Sequence, residues 1–132
     1  MKKVFFSISI VTIVLLVFIS CKKDDNQSET PTISVNLTVI ATGTLSDSPT
    51  IKYKDATGTS QTEVLSIGTW SKSLTVNSGF KLLLNASGKI TDGTVSIKVT
   101  ATGNGNNYNV SKSENISGKS SDFDLTLETT LN

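Results

Sequence analysis

An all-β fold is what this sequence predicts: an immunoglobulin-like antiparallel β-sandwich of seven or eight strands over residues 33–132. Period-two alternation of apolar and polar residues, which marks half-buried strands, recurs along that whole stretch. All nine glycines fall beyond residue 42, and most are spaced about ten residues apart, the turn rhythm of a sandwich or barrel. No window shows helical periodicity, and no internal repeat suggests a tandem array.

The elements follow in order. Ile33, Val35, Leu37, Val39 and Ala41 alternate with Ser34, Asn36, Thr38 and Thr42; Ile40 alone interrupts the polar face. Ile51 and Tyr53, between Lys52 and Lys54, lead to the turn Asp55-Ala56-Thr57-Gly58. A shorter run covers residues 63–67. Trp70, Lys72, Leu74 and Val76 then share a face and end at Asn77-Ser78-Gly79. Phe80, Leu82, Leu84 and Ala86 form one apolar row, with Leu83 on the other side. Val95, Ile97, Val99 and Ala101 form the next row. Gly103-Asn104-Gly105-Asn106-Asn107 is rich in residues that tolerate positive φ and reads as a loop. Tyr108 and Val110 open another strand. Phe123, Leu125 and Leu127 make the last, with Asp122, Asp124 and Glu128 facing water.

The N-terminus carries an address. Lys2 and Lys3 precede an apolar run at 4–19, broken by Ser7, Ser9 and Thr12, and Ser20 stands directly before Cys21. A basic start, a short apolar stretch and a small residue at the cut describe a secretory signal peptide over residues 1–20. A retained anchor helix is the alternative, but the run is shorter than the roughly 20 apolar residues a span needs. With Cys21 after the cut, the stretch resembles a bacterial lipoprotein signal, in which the thiol is acylated and the protein held to the membrane by lipid. Lys22-Lys23-Asp24-Asp25 is similar to the lysine-then-acidic signal behind the acylated cysteine of Bacteroidota lipoproteins. That likeness implies an outer-membrane lipoprotein displayed at the cell surface, the periplasmic face being the alternative. Residues 21–32 then serve as lipidated cysteine and polar tether.

Composition bounds the domain. From Lys22 onward, 34 of 111 residues are Ser or Thr, which leaves one modest core and a hydroxylated surface. All twelve cationic side chains are lysines; without Lys2 and Lys3, ten face eleven acids. A nucleic-acid binder carries a basic stripe, and this near-neutral chain has none. Cys21 is the single cysteine, so stability rests on packing without a disulfide.

Ile51-Lys52-Tyr53-Lys54-Asp55-Ala56-Thr57-Gly58, Gly68-Thr69-Trp70-Ser71-Lys72, Leu84-Asn85-Ala86 and Gly93-Thr94-Val95-Ser96-Ile97-Lys98-Val99 together resemble the MmpS family. These are small exported β-sandwich proteins that accompany MmpL lipid transporters in mycobacteria and their relatives. The resemblance spans residues 33–103, and the order of Tyr53, Gly58, Trp70, Ser71 and Lys72 is its most specific part. It departs at Ile97, where the family carries a disulfide cysteine. It departs also at Gly68-Thr69, which replaces a leucine-proline pair, and at the lipid anchor, which replaces a transmembrane helix. What it implies is the sandwich fold and, more distantly, an envelope transporter as partner.

Chemistry is sparse. The chain has no histidine and no arginine, which removes the commonest general base and the bidentate anion clamp. Asp122 and Asp124 share a strand face and read as a solvated pair in preference to a glycosidase dyad. Asp47, Asp55 and Asp92 lie in turns without calcium-loop spacing and read as Asx-turn formers. Ser71-Lys72 would need a buried lysine to act as a Ser/Lys hydrolase; Lys72 beside Trp70 on an alternating strand reads instead as a chain laid over apolar surface. The expectation is therefore a protein that is not an enzyme and takes no metal or cofactor. Among the aromatic residues, Trp70 and Tyr108 are the candidate ligand or partner contacts, although Trp70 reads first as a core residue. Two functions remain open: a lipid-anchored binding module, with a surface glycan as one possible partner, and an accessory subunit of an envelope transporter.

Overall fold

The structure, a computed structural model, describes residues 30–132, apart from the side chains at 47–48 and 116–119. Cys21, Lys22, Lys23, Asp24 and Asp25 lie outside the described residues. The described chain contains no helix. It forms six strands: β1 (Thr32–Ala41), β2 (Thr44–Lys54), β3 (Ser60–Val64), β4 (Gly68–Asn77), β5 (Phe80–Gly103) and β6 (Asn106–Leu131). Every ladder is antiparallel, in the order β3-β2-β5-β1-β4, with β6 along the other edge of β5.

The seven or eight expected strands become six because two pairs of them fuse. The apolar rows at 80–86 and 95–101 are two halves of β5, and those at 108–110 and 123–127 are two halves of β6. Residues 84–91 of β5 pair with β2 while residues 95–103 pair with β1, and β6 follows both halves. β1 and β2 are themselves nearly continuous along β5, parted at Thr42-Gly43. The result is one antiparallel sheet creased across its middle. One half is β3, β2, early β5 and late β6; the other is β4, β1, late β5 and early β6.

The crease is a backbone-to-backbone contact. A Cβ on Gly93 would collide with the Thr42 carbonyl and stand 2.8 Å from Gly43 Cα; one on Gly43 would collide with the Asp92 carbonyl. Glycine at both positions lets the two strands touch where the sheet folds. Asp92 takes positive φ (51°), and the β5–β6 register shifts between Thr91 and Gly93, a bulge that sharpens the bend. Thr42 N–H donates to Thr94 O at 2.9 Å, and Thr94 N–H donates to Thr42 Oγ1 at 3.1 Å, which closes the seam.

Alternation now explains the core. Ile33, Val35, Leu37, Val39 and Ala41 are all buried, and their cross-strand neighbours Val95, Ile97, Val99 and Ala101 are buried with them. Ile51, Tyr53, Leu84, Ala86, Leu125 and Leu127 from the other half join the same cluster. Fully burying a Val, Leu or Ile side chain contributes about 1.5–3 kcal/mol, so this shared interior holds the crease shut. The tip of the β5–β6 hairpin follows its sequence: Asn104 (φ 48°) and Gly105 (φ 72°) supply the two positive-φ residues of a tight two-residue turn.

Candidate binding surfaces

The two sides of the folded sheet are built differently. On one side β3 and β4, which do not pair with each other, are laced by a single carboxylate. Glu63 on β3 lies on the inward parity of its strand, half-buried. Its Oε1 accepts from the Tyr53 hydroxyl at 2.7 Å, and its Oε2 accepts from Trp70 Nε1 at 2.7 Å. Lys72 Nζ is 3.5 Å from the same carboxylate and 5.6 Å from the Tyr53 ring centroid. The Tyr53 and Trp70 rings meet at 5.3 Å, tilted by 52°. The hydrogen bond from Tyr53, then that from Trp70, holds the Glu63 carboxyl below its usual range. The same bond to Glu63, with burial behind it, raises the Tyr53 hydroxyl.

Trp70 is therefore a half-buried tie between the two halves of the sheet, packed on the core, with its N–H engaged. Lys72 lies over an aromatic ring as its sequence context suggests, with an ion pair added. Ser71 and Lys72, adjacent on a strand, point to opposite faces and do not converge. The neighbouring hairpin is closed by Asp55. Its carboxylate accepts from Thr57 N–H at 2.9 Å, Thr57 Oγ1 at 2.7 Å, Thr59 N–H at 3.1 Å and Gln61 Nε2 at 2.7 Å. These donors, the Thr57 hydroxyl foremost, hold its pKa down to about 2. Every bond is internal to the β2–β3 hairpin, the arrangement of an Asx-turn former. No cluster of three or more metal-ligating side chains occurs among the described residues.

The opposite side is open. There the halves of β6 diverge around a cleft of about 130 Å³ lined by Leu82, Val99, Tyr108, Val110 and Leu127. Tyr108 is half-buried against the core, and its hydroxyl accepts from Asn132 N–H at 3.3 Å. Val110 is 46% exposed. Of the two aromatic candidates, Tyr108 lines this cleft and Trp70 is tied to Glu63 on the opposite side of the molecule.

The outward faces differ as well. Over β4, β1, late β5 and early β6 the cross-strand rows read Thr75–Ser34–Thr102–Asn107, then Ser73–Asn36–Thr100–Asn109, then Ser71–Thr38–Lys98–Ser111, then Thr69–Ile40–Ser96–Ser113. Lys98 and Ile40 are the exceptions in a field of hydroxyls and amides. A shallow groove of about 350 Å³ crosses it between Ser34, Asn36, Ser73, Thr75, Thr100 and Thr102. The other half faces outward with Lys52, Lys81, Lys89, Asp122, Asp124 and Glu128, and Lys89 Nζ lies 3.8 Å from Asp122. Asp122 and Asp124 are exposed there, Asp124 accepting from Asn85 Nδ2 at 2.5 Å. Sequence reading identified the alternation but not this partition. It also missed Glu63, whose signal was a carboxylate on the inward parity of a strand.

Comparison with protein-family models, with curated proteins and with solved structures finds no match to this chain.

Proposed function

We propose that this protein is a non-catalytic, lipid-anchored envelope module that binds a neutral, hydroxyl-rich partner, a surface or cell-wall glycan, through the hydroxyl- and amide-rich outward face of its creased sheet. In this reading the creased sheet is an immunoglobulin-like sandwich. Cys21 carries the lipid, Lys22, Lys23, Asp24 and Asp25 direct it outward, and the domain stands at the outer-membrane surface. The partition of charge supports the binding role: most charged groups gather on one outward face, and the other, Lys98 apart, offers a grooved field of Ser, Thr and Asn. Such a face exchanges hydrogen bonds with a polyhydroxylated surface and gives little electrostatic steering.

The reading is tested by affinity electrophoresis of the protein in gels containing cell-wall or capsular polysaccharide. Retardation should change less than about twofold between low and high salt. Thr100→Lys or Ser34→Glu, placed in the groove on exposed strand faces, should abolish it without moving the melting transition. Binding that both variants retain would overturn the assignment of this face. Capture of an envelope transport protein from membranes at both salts, without glycan retardation, would replace the glycan reading with the accessory-subunit role that the MmpS resemblance implies.

A further inference from the structure

The long outer edge of β6 pairs with no other strand among the described residues, while the edges of β3 and β4 on the far side are laced by Glu63. An unpaired edge is a template for another strand, and proteins commonly blunt it with inward-pointing charges. β6 carries two such charges, Lys112 and Glu114, in register with the buried Ile97 and Val95 of β5. They share one strand face two residues apart, and neither has an ion pair among the described residues. A lone charge, or two of one sign, would simply repel an incoming strand. One lysine and one glutamate so placed are self-complementary.

We infer that this edge is a homodimer interface, in which β6 of a second copy pairs antiparallel with β6 about a twofold axis at Ser113. In that register Lys112 faces the second copy's Glu114 and Glu114 faces its Lys112, so one geometry satisfies both charges twice. Centring the axis on Lys112 sets lysine against lysine. Centring it on Ser111 sets Lys112 against Val110 and Glu114 against Tyr108. Charge complementarity therefore selects Ser113 from its neighbours. The ladder then runs over residues 110–116 and stops where β6 leaves its regular register with β5 beyond Ile116. It lays the second strand along Val110, exposed at the mouth of the Tyr108 cleft. The pairing joins two four-stranded halves into one continuous sheet and brings the two hydroxyl-rich outward faces together. It rests on the register of β6 alone and stands whether or not those faces bind glycan. So short a ladder makes a weak dimer, strengthened when both copies are confined to one membrane.

The axis residue gives the test. In the full-length protein in membranes, Ser113→Cys places two thiols opposite each other, within the Cα separation a disulfide spans. With copper–phenanthroline as oxidant, a disulfide-linked dimer should form on non-reducing gels, and the control Asn109→Cys should give about tenfold less. In the Ser113→Cys background, Lys112→Glu and Glu114→Lys should each reduce crosslinking about tenfold. The double exchange, and co-expression of the two single variants, should each restore it. Equal crosslinking of Ser113→Cys and Asn109→Cys would overturn the interface. Crosslinking indifferent to the charge reversals, or lost by them without rescue in the double exchange, would overturn the register.

Discussion

Glu63 has the most to lose from a single change. Its carboxylate receives the Tyr53 hydroxyl and the Trp70 N–H at 2.7 Å each, and those residues belong to opposite halves of the sheet. Hydrogen bonds to a charged group contribute about 1.5–3 kcal/mol, and the 38% exposure of this side chain places the net near the lower end. Glu63→Ala should cost about 1–2 kcal/mol in a urea melt. Trp70→Ala should cost less than the about 3–5 kcal/mol of a fully buried tryptophan, because its ring is half-buried. The double variant should cost less than the sum of the two, since they share one bond; strict additivity would show that the lacing is not energetically coupled. Acid gives the same site a second readout. Glu63 and Asp55 are both depressed in the folded state, Asp55 to about 2. Their contributions are fully present above the ordinary carboxylate range near pH 4 and are lost as pH falls through the lower, folded values. The melting temperature should be level from pH 7 to about 5 and decline below about 4. Glu63→Gln should lie lower at neutral pH and decline less steeply, with one fewer titrating group.

Among the elements, β5 shows what a crease demands of its sequence. Gly93 meets the Thr42 carbonyl and the Gly43 backbone, atoms that cannot rotate aside. Gly93→Ala should therefore destabilise by about 1–3 kcal/mol or more, the cost of overpacking. Gly58 is the opposite case, at φ 84° with nothing near its absent Cβ. Gly58→Ala should cost about 1–2 kcal/mol from the left-handed backbone alone. Urea midpoints of the two variants compare steric with conformational strain. A Gly93→Ala midpoint equal to the parent's would mean that the two strands part easily at the seam. The equivalent feature in β6 is the register break beyond Ile116, opposite Asp92.

For the whole molecule, the question is where it is held and which way it faces. Cys21→Ser should move the protein from the membrane fraction to the soluble one. Each buried methylene of an acyl chain contributes about 0.8 kcal/mol, and stable anchoring takes more than one such chain. Replacing Lys23, Asp24 and Asp25 by alanine should leave the protein membrane-bound but protect it from external protease on intact cells. A Cys21→Ser protein that still pellets with membranes would refute lipid anchoring, and equal shaving of the alanine variant and parent would refute the outward address.

Strand identity was written in the order of residues. Ile33 to Ala41 and Val95 to Ala101 alternate because each second side chain faces the core, and a period of two needs no knowledge of partners. The Asn104-Gly105 turn and the Asp55 turn were legible for the same local reason: backbone conformations few other residues adopt. What the tertiary structure alone decided is how the alternating runs join. Whether the rows at 80–86 and 95–101 are two strands or one bent strand depends on the approach of Gly43 to Gly93, fifty residues away in the chain. The lacing by Glu63 and the hydroxyl-rich outward face were equally hidden. Each arises from side chains on strands distant in sequence, brought into register only when the sheet folds on its own core.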